Sequence, residues 1–218
     1  MEDGAEFDRV VEMVREVGKL GMEVCCHSRD ADAAAGWRLR DAGLTAYNHN
    51  LDTSEEHYES IISTRGYSDR LATIRAVRDA GIQVCCGGIV GLDESEEDRI
   101  SLLHTLTNLD PQPESVPVNG LVRVAGTPLA DRPAADRFGF GAHDRGGAAP
   151  DAARARTPRG RADGAHPEAQ ALAFLAGANS IFHGDRLLTT PNPGEDADEA
   201  LLEKLGLGDR AAARVSQQ

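Results

Sequence analysis

The 218-residue chain is short of basic residues and of long apolar runs, and each shortage excludes a class of function. It has 23 Lys and Arg against 36 Asp and Glu, a formal net charge of −13. Nucleic acids and anionic membranes are bound through clusters of Lys and Arg, so we expect neither as a partner. No stretch reaches the roughly 20 apolar residues that span a bilayer, and residues 1–6 have no export-signal character. We therefore expect a cytoplasmic protein that binds a small molecule or another protein.

Cysteine is also scarce, and its arrangement argues against disulfides. The four cysteines form two adjacent pairs, Cys25-Cys26 and Cys85-Cys86. In a chain without an export signal, such pairs favour thiol or metal chemistry over a disulfide framework. Ordinary buried cysteines are an equally good interpretation of the spacing. Four thiolates around zinc are less favoured, because structural zinc sites prefer Cys-x2-Cys spacing.

Helical and strand-like segments alternate over the first 130 residues. Apolar residues recur at helical spacing in 6–20, and Ser54 and Ser68 are predicted to cap two further helices. Another helix is predicted over 94–106. The predicted strands are 22–26, 44–48, 82–90 and 116–124. Repeated βα units predict a parallel sheet, as part of a (β/α)8 barrel or, alternatively, as a doubly wound open sheet.

Both cysteine pairs end predicted strands of similar sequence, GMEVCC and GIQVCC. The carboxyl ends of the strands form the active-site face of a barrel. Because side chains alternate along a strand, Cys25 and Cys85 are predicted to point one way, and Cys26 and Cys86 the other. One cysteine from each strand is thus predicted to face a common interior.

The run YNHNLDT (47–53) places two amides and a carboxylate after a predicted strand. Alternation sends Asn48, Asn50 and Asp52 to the same side, whereas His49 points away and has a structural or surface role. Amides and carboxylates suit a ribose, a urea or an amino acid. Turn formation explains the same residue types, because Asn and Asp favour strand ends for backbone reasons.

Five segments, taken together in order and spacing, resemble the biotin synthase family across residues 7–207. They are 47–53, 84–92, 114–119, 126–129 and 187–193. The resemblance implies an α/β fold, a partial (β/α)8 TIM-type barrel of the radical S-adenosylmethionine (SAM) kind. It also implies an enzyme that inserts sulfur into dethiobiotin to form biotin, acts as a homodimer and receives electrons from a flavodoxin-like protein. A non-catalytic fragment that binds SAM, dethiobiotin or a protein is the alternative.

The resemblance also implies site residues. Cys25 and Cys85 would bind a deep 2Fe-2S cluster, enclosed by the barrel, and this is the pair that strand alternation selects. Cys26 and Cys86 match no ligand position and are predicted to pack. SAM would lie near Asn50, Asp52, Arg70 and Ile89. The dethiobiotin ureido ring would contact Asn48, Asn50 and Asn119.

The chain departs from the family pattern in two places. The Cys-x3-Cys-x2-Cys loop that binds the family's 4Fe-4S cluster does not occur, so we expect the first barrel strands to be missing and this chain alone to be inactive. Residues 130–171 contain no Val, Ile, Leu or Met, which predicts disorder in 139–167. We attribute this segment to compensating frameshifts that put Thr157 where the family has an arginine ligand. The predicted organisation is 1–138 as barrel, 139–167 as an aberrant segment and 168–218 as the C-terminal part of the domain.

Overall fold

The computed structural model describes residues 4–27, 30–131, 155–159, 167–180, 186–187, 190–191 and 195–207. The helices are α1 (Ala5–Gly18), α2 (Ala33–Asp41), α3 (Glu55–Ile61), α4 (Tyr67–Asp79), α5 (Glu96–Asn108), α6 (Pro167–Ala176) and α7 (Glu195–Lys204). The strands are β1 (Cys25–His27), β2 (Ala46–Asn48), β3 (Gln83–Cys85), β4 (Gly88–Val90), β5 (Ser115–Gly120), β6 (Ala155–Arg159), β7 (Arg186–Leu187) and β8 (Thr190–Pro191). Within these ranges, no helix is both long enough and apolar enough to cross a membrane.

Strands β1 to β6 form one parallel sheet, in which the order is β1-β2-β3-β5-β4 and β6 also pairs with β5. β1 pairs with β2, β2 with β3, both β3 and β4 with β5, and β5 with β6. Helices connect β1 to β2, β2 to β3 and β4 to β5, as in a (β/α)8 barrel, whereas a doubly wound sheet reverses its strand order. The fold is therefore part of a TIM-type barrel.

The strand predicted over 82–90 is divided into β3 and β4 at Cys86-Gly87. A Cβ atom on Gly87 would lie 1.9 Å from the carbonyl oxygen of Pro117, and one on Gly88 would lie 2.3 Å from Leu102. Only glycine, which has no Cβ, permits the Pro117 backbone to lie this close to Gly87 and the Leu102 side chain this close to Gly88. Gly87 therefore allows close contact with β5 within the sheet, and Gly88 allows close packing against α5.

Local capping sets the helix starts, and one of the predicted caps is wrong. The Ser54 hydroxyl caps α3 by accepting a hydrogen bond from the His57 amide at 3.0 Å. Ser68 does not cap α4, which begins at Tyr67. The Asp69 carboxylate instead accepts a bond from the Gly66 amide at 2.9 Å, so the helix starts two residues earlier than predicted.

The main hydrophobic core lies between the sheet and the helices that connect its strands. Phe7 of α1, Leu39 of α2 and Val77 of α4 are at most 2% exposed and pack on the strand residues Tyr47 and Val84. The opposite side of the strands has polar and thiol side chains instead. This division positions the candidate site.

Of the segment 139–167, for which disorder is predicted, the structure describes Ala155–Arg159 and Pro167. Ala155–Arg159 form β6, which pairs with β5 from Ser115 to Asn119. These five residues form a strand without aliphatic side chains, because strand pairing depends on backbone hydrogen bonds. Thr157 lies in register with Pro117. The rest of the segment lies outside the described residues.

Candidate functional site

The strand register places the two predicted ligand cysteines on one face of the sheet. Cys25 is in register with Ala46, and Cys85 with Asn48, two residues further along β2. Register partners in parallel strands share a face and every second residue returns to it, so Cys25 and Cys85 face the same side. Cys85 is 8% exposed, but Cys25 is exposed. The expected enclosure therefore holds for Cys85 and not for Cys25, which lies on a strand whose described partner is β2 alone.

Cys26 and Cys86 lie on the opposite, helix-facing side, as alternation predicts. Cys86 is fully buried in the core, and the partly buried Cys26 packs against that core. Burial raises the pKa of each thiol to about 12, which disfavours the thiolate that a metal ligand requires. Because the two pairs of thiols are on opposite faces, they do not converge on one zinc ion.

Asn48 connects β2 to both neighbouring strands. Its Nδ2 donates a hydrogen bond to Cys85 Sγ at 3.1 Å. The ring Nδ1 of His27 lies 3.0 Å from the Asn48 carbonyl oxygen and 3.2 Å from Asn48 Oδ1. The amide predicted to bind substrate thus contacts a predicted cluster ligand.

Strand β2 ends at Asn48, four residues before Asp52, so Asn50 and Asp52 lie in the following loop. Asn50 Oδ1 accepts a hydrogen bond from the Gly87 amide at 3.0 Å. Asp52 has a φ of 68°, a left-handed conformation that Asp tolerates better than most residues. Loop geometry, and not strand alternation, therefore sets the direction of these two side chains.

Asp52 and Arg70 form a buried ion pair. Asp52 Oδ2 lies 3.1 Å from Arg70 Nη2, and the side chains are 16% and 11% exposed. Arg70 Nε also donates to the hydroxyl of Tyr58 at 3.0 Å. Burial raises the pKa of Asp52 although the charge of Arg70 opposes this shift. Burial alone would lower the pKa of Arg70, but Tyr58 and Asp52 raise it, so the guanidinium remains charged.

Ile89 and Asn119 are neighbours across β4 and β5, where they are in register. The Ile89 amide donates to the carbonyl oxygen of Asp52 at 2.8 Å, which holds the β2–α3 loop beside β4. Asn119 Oδ1 is buried, and among the described residues it has no hydrogen-bond partner. A buried acceptor without a donor is the kind of group that a bound ligand satisfies.

Tyr58 is a residue whose role the sequence did not indicate, and His49 is one for which the sequence left a structural and a surface role open. The side chain of His49 is buried, with 1% of its surface exposed, and Asp30 Oδ1 lies 3.6 Å from its Nε2. This burial excludes the surface alternative, and together with the charge of Arg70 it lowers the pKa of His49 to about 4. Tyr58 lies on the buried side of α3, a few residues after the polar run. The one sequence signal that could have identified it is an aromatic residue on that side of the helix.

Comparison with family models matches residues 7–106 to the Radical SAM superfamily and 150–208 to the Biotin and Thiamin Synthesis associated domain. A biotin synthase of Synechococcus sp. (strain JA-3-3Ab) is 58% identical over 205 residues, covering 94% of this chain and 66% of that protein. One of Sorangium cellulosum (strain So ce56) is 52% identical over 220 residues, covering 98% and 61%. The chain thus spans slightly less than two thirds of these relatives.

Solved structures support the fold. Methylornithine synthase matches with a TM-score of 0.72 at 21% identity, covering 92% of this chain and 63% of that one. The FeFe-hydrogenase maturase HydG from Carboxydothermus hydrogenoformans matches with a TM-score of 0.71 at 14% identity, covering 93% and 52%. At these identities the likeness concerns the barrel alone.

Proposed function

The chain belongs to the biotin synthase family of the radical SAM superfamily, and from this we propose that its sheet carries the sulfur-insertion part of a site that converts dethiobiotin to biotin. The family uses SAM and iron–sulfur clusters. SAM would supply the radical, and the 2Fe-2S cluster would supply the sulfur. The observation that carries the proposal is the division of the four cysteines between the two faces of one sheet.

Cys25 and Cys85 would hold the 2Fe-2S cluster. They share a face, and iron–sulfur clusters take thiolate ligands. Asn48 Nδ2 already donates to Cys85 Sγ, and hydrogen bonds to a ligand sulfur orient it and tune the cluster. The donor set therefore fits iron, whereas Cys26 and Cys86 are held as thiols in the core.

SAM would bind across Asn50, Asp52, Arg70 and Ile89. Its carboxylate suits the guanidinium of Arg70, its ribose hydroxyls suit the carboxylate of Asp52, and its adenine suits contact with Ile89. The bonds from Arg70 to Asp52 and from Ile89 to Asp52 bring three of these residues together before any ligand binds.

Dethiobiotin would place its ureido ring against amides. Asn119 Oδ1 is a buried acceptor that a ureido N–H would satisfy. Asn48 contacts Cys85, so a ring held by Asn48 would lie next to the sulfur source. Asn50 would complete the set with the part of its amide that Gly87 does not use. By family likeness we also propose a homodimer and a flavodoxin-like reductant.

The test is anaerobic reconstitution of the whole chain with iron and sulfide, followed by iron and labile-sulfide analysis and visible absorption. The wild-type chain is expected to bind both, and Cys25→Ala and Cys85→Ala are expected to lose most of this binding. Cys26→Ala and Cys86→Ala are the matched controls, because each removes the adjacent thiol on the opposite face.

Three outcomes would contradict the proposal. A wild-type chain without iron would exclude the cluster, and binding of SAM or dethiobiotin without iron would instead support a non-catalytic binding protein. Equal loss in all four variants, with native circular dichroism, would show that the faces do not differ in ligand chemistry.

A further inference from the structure

Tyr58 connects α3 to the ion pair at the end of β2. Its side chain is fully buried, and its hydroxyl accepts the hydrogen bond from Arg70 Nε at 3.0 Å. The Nη2 atom of the same guanidinium donates to Asp52 at 3.1 Å. Arg70 is thereby held at two points, one on α3 and one in the β2–α3 loop.

We infer that Tyr58 is a positioning residue of the SAM site, because its hydroxyl fixes the guanidinium of Arg70 in the orientation that faces Asp52. The inference rests on the proposed binding of SAM at Asp52 and Arg70. It assigns to Tyr58 no contact with SAM itself.

The physical reason is the rigidity of the guanidinium group. Its donors form a planar fork, so an acceptor at Nε fixes the directions of the Nη donors as well. Tyr58 cannot easily move, since it is fully buried and packs edge-on against Tyr67 with ring centroids 5.3 Å apart. Without the hydroxyl, Nε–H would be left unsatisfied in a largely buried position and Arg70 would turn towards another acceptor.

A displaced Arg70 would also change the charge state of Asp52. Burial raises the pKa of this carboxyl group, and the groups that oppose the shift are Arg70 on α4, His27 on β1 and Arg65 in the α3–α4 loop. Arg70 is the strongest of the three. With Arg70 turned away, Asp52 is expected to take up a proton at a higher pH.

The experiment is a calorimetric titration of the full chain with SAM between pH 5 and pH 8, in the wild type, Tyr58→Phe and Tyr67→Phe. Tyr58→Phe keeps the ring and removes only the acceptor. Tyr67→Phe is the matched control: it removes a phenol hydroxyl from the ring that packs edge-on against Tyr58, and the side-chain partner of this hydroxyl is Thr105 and not Arg70.

We expect Tyr58→Phe to weaken SAM binding by about 5- to 10-fold, the effect of losing one ordinary hydrogen bond. The pH at which binding declines on the acid side should also move upward. Tyr67→Phe should stay within about twofold of the wild type, with an unchanged pH profile.

Each other outcome overturns the inference in a recognisable way. A wild-type chain that does not bind SAM would remove the proposed SAM site and this inference with it. Binding by the wild type with an unchanged affinity in Tyr58→Phe would contradict the role of Tyr58 alone. Equal weakening in both variants would show that the loss of either buried hydroxyl, and not the specific contact with Arg70, weakens binding.

Discussion

The two faces of the same short strands differ in almost every physical property. The helix-facing row has Tyr47 and Val84, at most 1% exposed, together with a thiol that burial keeps protonated at Cys86. One residue further along, the other face has Asn48 and Cys85 joined by an N–H···S hydrogen bond. Alternate residues of one strand thus either stabilise the fold or form the candidate site.

The largest expected difference between the faces is in stability, at neighbouring positions of β2. Tyr47→Ala should lower the free energy of unfolding by about 3–5 kcal/mol, because it removes a fully buried aromatic ring. Asn48→Ala should cost only about 1 kcal/mol, the net value of a typical hydrogen bond. Urea denaturation at pH 7 measures both, and Tyr47→Phe, which keeps the ring, is the control that remains folded. Similar losses at the two positions would end the distinction between the faces.

A smaller difference is expected between the adjacent cysteines. Cys86→Ser places a hydroxyl in an apolar core and should lower the free energy of unfolding by about 1–3 kcal/mol. Cys85→Ser should lower it by less than about 1 kcal/mol, since a serine oxygen can accept the same hydrogen bond from Asn48. Denaturation of the iron-free chain separates these costs from any contribution of a cluster. The comparison would fail if Cys85→Ser were the more damaging change.

The sequence predicted the faces because they depend only on strand alternation and register. It placed Cys25 with Cys85, and Cys26 with Cys86, before the pairing of β1, β2 and β3 was known. It did not predict the division of β3 from β4, because that break follows from the approach of Pro117 to Gly87, residues 30 positions apart.

The loop after β2 was harder to predict. Alternation sent Asn50 and Asp52 to one side, but β2 ends before them and their directions follow from bonds to Gly87 and Arg70. The link from Arg70 to Tyr58 joins two helices whose relative position no local pattern determines. The face to which each strand residue points can thus be predicted from sequence. The contacts that orient the side chains of a site can be known only from the folded structure.

The strands also differ between their two ends, and the end opposite the site has a clamp formed by Arg78 and Glu114. Arg78 Nη1 donates to Glu114 Oε1 at 2.7 Å, and Arg78 Nη2 donates to the carbonyl oxygen of Gln112 at 2.6 Å. Glu114 Oε2 accepts from the Val84 amide at 2.8 Å. The clamp therefore joins α4 and β3 to the start of β5 through charged hydrogen bonds. The other end of these strands has the candidate binding site instead.

The pH dependence of this clamp is the smallest effect that we predict. Burial alone would raise the pKa of Glu114, but the bonds from Arg78 and the Val84 amide outweigh it, and the pKa is lowered. A carboxyl group with a lowered pKa in the folded state stabilises the fold above its unfolded pKa and loses that contribution as the pH falls through its folded value. Glu114→Gln should therefore lower the free energy of unfolding by about 1 kcal/mol at pH 7, because a partly exposed ion pair contributes little more than this.

That loss of unfolding free energy should begin to shrink as the pH falls below the unfolded pKa of glutamate, about 4.3, and should shrink further as the pH approaches the lower folded value. Unfolding free energies of the wild type and Glu114→Gln at pH 7 and pH 3.5 test this, with Glu23→Gln as the control at an exposed carboxylate. A difference that stays constant across this range would mean that Glu114 acts through its shape and hydrogen bonds and not through its charge. The clamp would then resemble the packed face of the sheet more than its polar one.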